Sequence, residues 1–293
     1  MSLISEKLKA DYSVGNSFVV GDLQPFRYKL FVTVGQDSFS FALLDHDHNQ
    51  FCCMKYYDLT FSKSMNEAVN MLNKIIYEEP LLGYQHYKKA VISLESRKNA
   101  LIPNDFYDSK NLKQYFTLQH DLEGYENLLC DKLKFVEAQN AYAIDSTLLY
   151  LLQNNFAQHS QVHHTTALLN SQLLRFKNRE ENFLLLYILN RTFCVTIMHE
   201  GRLLFFNSFA YFNQDDILYH TMNVCEQLHL DLSDLKTEIA YQHPQLSPFH
   251  NVLSQYLRDV KLADRTPNHR FAIAFEDIPG YCFPVIFDLD LCV

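Results

Sequence analysis

The chain has 293 residues, 48% of them apolar and 14% aromatic, with a net charge of -9 and only seven glycines. Seven glycines is about 2.4% against a usual ~7%. They spell neither a Gly-x-Gly-x-x-Gly turn nor a Gly-x4-Gly-Lys-Ser/Thr loop, which excludes the two common phosphate-binding turns. The apolar content suits a full core, and an acidic chain without a basic stripe is a poor match for nucleic acid.

Met1–Lys9 lacks an apolar segment of the kind that opens a secretory leader, and no apolar run approaches the length of a membrane span. Seven cysteines without regular spacing, and without Cys-x-x-Cys, read as reduced thiols. The expectation is a cytoplasmic protein with no membrane insertion.

In chain order, Tyr28–Gly35 reads as a strand, Gln36–Asp37 as a turn, and Ser38–Asp45 as an alternating strand with Phe39, Phe41 and Leu43 on one face. His46–Gln50 is a polar turn and Phe51–Leu59 a third strand. Ser64 is placed to cap a helix, with Glu67 at the capping-box position. Met65, Ala68, Val69, Leu72, Ile75 and Ile76 fall on one face of that helix. Tyr87–Ser96 follows as a fourth strand, placed by its helical crossover parallel to a neighbour in the same sheet. Lys132–Ile144 supplies further strand material. Asp145 caps a helix reaching about Phe156, and Thr165–Phe176 is another helix.

The same order then recurs. Asn182–Leu189 is a strand, Asn190–Arg191 a turn, Thr192–His199 a second strand, Glu200–Gly201 a turn and Arg202–Tyr211 a third strand. Asp215 and Asp216 lie in the first turn of a helix whose apolar face is Leu218, Met222, Cys225 and Leu228. Lys236–His243 is the fourth strand. Corresponding elements are about 150 residues apart, so the pattern reads as a duplicated β-β-β-α-β unit. Beyond it, Ser247–Val260 carries the cleanest helical period, His269–Phe275 reads as a strand, and Phe283–Val293 is open between strand and helix. The polar stretch Lys177–Glu181 places a domain boundary near 178/179, giving units 1–178 and 179–293.

Two such units are the ground plan of the actin-like ATPase fold, an α/β fold in which two ribonuclease-H-like domains face a central cleft. The segments Asp37-Ser38-Phe39-Ser40-Phe41, Asn207-Ser208-Phe209-x-Tyr211, Asp215-Asp216-x-Leu218-Tyr219 and Glu226-Gln227-Leu228-x-Leu230 resemble motifs of one uncharacterised bacterial family with that fold. Leu101-Ile102-Pro103 with Phe106 fits the same family, and the resemblance spans nearly the whole chain. It implies no established activity and no catalytic residues to carry over.

Active members of the fold bring backbone amides up to phosphate in the first hairpin of each domain, where glycine permits close approach, and use a carboxylate to hold Mg2+ or position water. Here the first hairpin keeps Gly35, Asp37 and Ser38, though not in the usual Asp-x-Gly order. The second offers Asn190-Arg191-Thr192, with neither glycine nor carboxylate. The third contact, usually a Gly-Gly turn, reads Ala240-Tyr241-Gln242-His243-Pro244-Gln245. Gly35, Asp37, Ser38 and Arg191 are thus the candidate residues of a vestigial nucleotide cleft, with Arg191 read more simply as an exposed turn residue.

Other constellations read as structural. Asp45-His46-Asp47-His48 is a solvated turn. His159, His163 and His164 form an i, i+4 pair only on a helix, and no metal site is expected. Cys194, Cys225 and Cys282 lie on apolar faces, and Asp288 and Asp290 read as terminal surface charge. Tyr56-Tyr57, Tyr115-Phe116 and Phe209-Tyr211-Phe212 are the aromatic candidates for an interface. The function expected is a non-catalytic, pseudo-ATPase scaffold that needs no cofactor and contacts an unidentified protein partner. The alternatives are an ATP-binding or phosphotransfer protein using Asp37, Ser38 and Arg191, and a binder of another small ligand in the cleft.

Overall fold

The computed structural model describes residues 9–15, 25–83, 87–156 and 158–292. Most of the Met1–Lys9 stretch lies outside them. The elements run β1 (Tyr12–Val14), β2 (Tyr28–Val34), β3 (Ser38–Asp45), β4 (Gln50–Asp58), α1 (Met65–Glu78), β5 (Lys89–Leu94), β6 (Asn99–Pro103), α2 (Leu112–Thr117), β7 (Glu126–Lys132), β8 (Ala138–Asp145), α3 (Ser146–Asn155), β9 (His159–His163) and α4 (His164–Phe176). The second half follows with β10 (Asn182–Ile188), β11 (Thr192–His199), β12 (Arg202–Ala210), α5 (Gln214–Gln227), β13 (Leu235–Tyr241), α6 (Phe249–Leu253), β14 (Lys261–Leu262), β15 (Arg270–Phe271) and α7 (Pro284–Asp288).

The two halves share one strand order. In the first, β4-β3-β2-β5-β9 lie side by side, with β1 and β15 added to β4. In the second the order is β12-β11-β10-β13-β14. Each half is an antiparallel meander whose first strand pairs in parallel with the strand after the helix, β2 with β5 and β10 with β13. The duplicated unit expected from periodicity is present twice, with a fifth parallel strand added to each copy.

Local sequence explains the edges of these elements. Ser64 Oγ accepts the Glu67 amide at 3.3 Å to start α1, whose buried face is Ala68, Leu72, Ile75 and Ile76. Asn213 and Asp216 form a reciprocal capping box at α5. Glu200 and Gly201, at φ 48° and 74°, turn β11 into β12 through two left-handed residues.

A second sheet, β6-β8-β7, and the short α2 are inserted between β5 and α3. The stretch 132–144 is therefore not one strand but the end of β7, a turn and most of β8. The His159–His163 segment is strand β9, so the three histidines share no helical face. The helix read over Ser247–Val260 is only Phe249–Leu253. Its apolar period is real, but the chain must leave the helix to lay Lys261–Leu262 beside β13, and Asp259 adopts φ 49° in that turn. The strand read at His269–Phe275 is reduced to β15, and the ambiguous tail is helical.

Core and connections place the cleft. Phe39, Phe41 and Leu43 pack under α1 and α3, as their alternation demands. Ala42 and Leu44, on the other face of β3, belong to a second core shared with Leu184, Leu186, Val195 and Phe287. That continuous core joins the halves at their base, where α4 packs on α7. Asp288, read from sequence as surface charge, is 2% exposed there; it accepts Ser171 Oγ at 2.5 Å and also Thr266. Helix α7 folds back onto β2 and β3, which is what buries it. Cys194, Cys225 and Cys282 are buried.

Candidate functional site

Above the shared core, the turns at the ends of β2 and β10 face each other. Their backbones are built alike. The Gly35 amide bonds Ser38 O at 3.0 Å, and the Leu189 amide bonds Thr192 O at 2.9 Å. The first residue after each fourth strand reaches back to the first strand of its own half, Glu95 N to Val34 O and Gln242 N to Ile188 O, both at 2.8 Å. Asp37 therefore stands in the first half where Arg191 stands in the second, and Glu95 stands where Gln242 stands.

These equivalent residues bond to each other across the cleft. Gln242 Nε2 donates to Glu95 Oε1 at 2.6 Å and to Ser38 Oγ at 2.8 Å, while Ser38 Oγ donates to Glu95 Oε2 at 3.2 Å. Gln242 Oε1 accepts the Asn190 amide at 3.2 Å. Asn190 Nδ2 donates to Asp37 O at 3.3 Å and to the Tyr56 hydroxyl at 3.2 Å, and its Oδ1 lies 2.6 Å from His243 Nε2. Arg191 Nε sits 3.3 Å from Asp37 Oδ1, and its Nη2 donates to Thr60 O at 2.5 Å. Arg191 is thus not simply an exposed turn arginine: it spans the cleft to two elements of the other half.

All four candidate residues from the sequence meet here. Gly35 does not serve a left-handed turn; a Cβ on it would stand 2.7 Å from Glu95 Cβ. The close approach that glycine allows is taken up by a side chain of the same domain. Asp37 Oδ1 is buried and has no aligned hydrogen bond, although Arg191 lies near it. Burial raises the Asp37 carboxyl above its ordinary range, and the charges of Arg191 and Arg97 work against that rise. Burial pushes Glu95 up to about 8, with Ser38 and Gln242 opposing the shift and Asp37 adding to it. Among the described residues no ion pair reaches Glu95.

Beside this bonded zone is a cavity of about 400 Å³, between the two turns and the inserted sheet. Its charged walls are Arg97, Lys98, Arg191, Asp37, Glu95, Glu126 and Asp145. Lys98 is committed to Glu126 at 2.9 Å, while Arg97 is exposed and reaches Asp37 only at 3.7 Å. His164 also lines the cavity; burial holds its imidazole down at about 4, so it is neutral near pH 7.

The remaining constellations resolve individually. Asp45 is buried and tied to Arg27 and to His48 Nδ1 at 2.8 Å, so it is not part of a solvated turn, while His46, Asp47 and His48 are exposed. No group of three metal-ligating side chains comes together among the described residues. Of the aromatic candidates, Tyr56, Tyr57, Phe116 and Tyr211 are buried, whereas Phe212 is 96% exposed. Sequence reasoning missed Glu95, Thr60 and the partnering role of Gln242. The signal for the pair was available, because the roughly 150-residue repeat carries Glu95 close to Gln242.

A crystal structure from Bacteroides thetaiotaomicron, of a protein with actin-like ATPase fold and unknown function, superposes with a TM-score of 0.73 at 18% identity, covering 82% of this chain and 92% of that one. A PilM-PilN type IV pilus biogenesis complex superposes with a TM-score of 0.59 at 11% identity, covering 91% of this chain and 98% of that one. At such identities the likeness establishes the fold, and the fold is that of the actin-like ATPases. No curated protein matches the sequence. The pattern of a family described as a protein of unknown function (DUF3822) matches residues 23–260, and the chain belongs to that family.

Proposed function

We propose that this DUF3822 protein is a non-catalytic member of the actin-like fold, a pseudo-ATPase that acts as a scaffold through protein contacts. One observation carries the reading: the turns that in this fold would meet phosphate are bonded to each other. Gln242 occupies Ser38 and Glu95, and Arg191 occupies Asp37 and Thr60. Entry of a triphosphate between the turns would have to break these bonds, and it would meet side chains where backbone amides are needed. Asp37, the carboxylate of the first turn, already faces two arginines instead of an open metal position.

In this reading the chain divides near 178/179 into two ribonuclease-H-like units, held closed so that their outer surfaces keep a fixed relation. The pilus complex named above is a relative in fold that works with a protein partner, which supports the same mode here. Phe212, 96% exposed, and Tyr219, 66% exposed, are aromatic side chains of the kind found in protein interfaces. No helix among the described residues is long and apolar enough to cross a membrane, in keeping with the cytoplasmic placement proposed.

Calorimetry with ATP and Mg2+ tests the proposal. The expected result is no heat of binding up to millimolar nucleotide and no phosphate release. Micromolar affinity together with turnover overturns it. A second reading, a small polar ligand in the cleft, is favoured by the cavity beside the turns and by the exposed Arg97 on its wall.

A further inference from the structure

The two meanders end differently at their outer strands. In the first half the free side of β4 is taken up by this chain itself: β1 pairs with it antiparallel, Tyr12–Val14 opposite Met54–Tyr56, and β15 adds a parallel pair at Gln50 and Phe51. In the second half the corresponding strand, β12, pairs with β11 alone, and the sheet stops there. We propose that β12 is a self-association edge, on which a second copy of this chain lays its own β12 antiparallel, continuing the sheet across a two-fold axis.

Register locates the vacant position. Thr196 in β11 corresponds to Ala42 in β3, and their partners are Phe206 and Met54. Phe206, Asn207 and Ser208 therefore stand where Met54, Lys55 and Tyr56 meet β1. At that place in the first half, Tyr56 O accepts the Asp11 amide at 2.9 Å. In the second half the Ser208 amide donates to Oδ1 of its neighbour Asn207 at 2.8 Å, a local substitute for a cross-strand acceptor. Both meanders shift register at the same point, between Leu43 and Leu44 and between Ile197 and Met198. β4 accepts β1 beside its shift, so the shift in β12 is no bar to pairing. Burial records the difference between the two edges: five of the nine residues of β4 are buried, and none of the nine of β12.

An uncovered strand offers a row of unpaired backbone groups, and long edges are usually blunted by charge or proline. The other sheet edges among the described residues follow that rule or are short. β7 carries Glu126, Asp131 and Lys132, β6 ends in Pro103, and β1, β9 and β14 span at most five residues. β12 reads Arg-Leu-Leu-Phe-Phe-Asn-Ser-Phe-Ala, with no proline and one charge, and its Leu204 is 45% exposed. The position of that charge selects a copy of the same strand as the occupant. A two-fold axis makes self-pairing antiparallel, the direction that β1 takes on β4. The two Arg202 side chains then lie at opposite ends, each approaching the end of the facing strand that leads into Asp215. Arg202 and Asp215 are both exposed, and neither has an ion pair among the described residues. From Leu203 to Ala210 the strand is uncharged, so no like charges oppose each other across the axis.

The test uses the whole chain. Its mass in solution is followed by light scattering and sedimentation from about 1 to about 200 μM, and is expected to rise to twice the 34.4 kDa of one chain. Hydrogen exchange at the Phe206 and Ser208 amides is expected to slow as concentration rises, while the amides of β14, at the far edge of the same sheet, do not change. Asn207 is exposed, and its counterpart in β4 is Lys55, so this position of the strand suits a charged side chain. Asn207→Lys and Asn207→Glu each bring like charges together near the axis, and each is expected to weaken the dimer by about fivefold or more. Mixing the two variants is expected to restore it, which also shows that both are folded. A chain that stays at 34.4 kDa throughout overturns the proposal and leaves the edge to a strand from a different protein. A dimer that both variants leave unchanged, a mixture that does not recover, or exchange at Phe206 and Ser208 that ignores concentration overturns it as well. No nucleotide is involved, so failure here and failure of the pseudo-ATPase reading are separate results.

Discussion

The two halves are alike in their cores and unlike in their turns. Phe39 in β3 and Phe193 in β11 occupy matching positions, and both are fully buried. Two residues earlier in each half the chemistry diverges, to Asp37 in one turn and Arg191 in the other. The strands are constrained by a sheet that must be covered on both faces, so apolar residues persist in both copies. The turns are constrained only by what lies across the cleft. There the copies have become complementary: acid against base, and carboxyl against carboxamide.

Substitutions test how far the likeness of the halves extends. The largest effect is expected in the cores. Phe39→Ala and Phe193→Ala should each cost about 3–5 kcal/mol in urea unfolding, because each leaves an aromatic-sized void. Equal losses would confirm that the halves contribute equally; a loss confined to one would break the symmetry. Next comes Gly35→Ala, whose new Cβ would stand 2.7 Å from Glu95 Cβ and force the turn aside. About 2–3 kcal/mol should be lost, since overpacking on this scale is seldom absorbed. Gln242→Ala should cost about 2 kcal/mol, because the Asn190 amide, Ser38 and Glu95 lose a partner together.

The pH response separates the turns further. Glu95 is raised in the folded state, so its contribution is complete below 4.5 and lost as pH climbs through about 8. His164 is depressed, so its contribution is complete above 6.5 and lost as pH falls through about 4. Between 4.5 and 6.5 the two oppose each other. Above 6.5 the His164 slope is gone, and the Glu95 contribution to urea unfolding should fall by up to about 1.4 kcal/mol per pH unit toward pH 8. Glu95→Gln should flatten that limb and leave the acid limb in place. The smallest effect is expected from Arg191→Ala. Its side chain is 39% exposed, so its ion pair with Asp37 is worth less than about 1 kcal/mol and should shrink further in high salt.

The duplicated β-β-β-α-β order, the alternation of Phe39, Phe41 and Leu43, and the caps at Ser64 and Asp145 are legible in the residues alone. Each depends on neighbours within a few residues, which a period or a capping pattern records. Gly35, Asp37, Ser38 and Arg191 stand out as well, because a turn poor in glycine is visible as composition. The rest depends on contacts between distant segments. Strands β9 and β14 are short and carry no alternation of their own, and only a sheet edge waiting for a fifth strand makes them strands. The apolar period of 247–260 could not reveal that the chain must turn at Asp259 to reach that edge. Asp288 looked like tail charge, but α7 packs on α4, where Ser171 and the loop residue Thr266 donate to it. Most of all, the seam pairs residues 147 and 204 positions apart, Gln242 with Glu95 and with Ser38. No local pattern carries such a contact, because it exists only once two separately folded sheets have been brought face to face by the core beneath them.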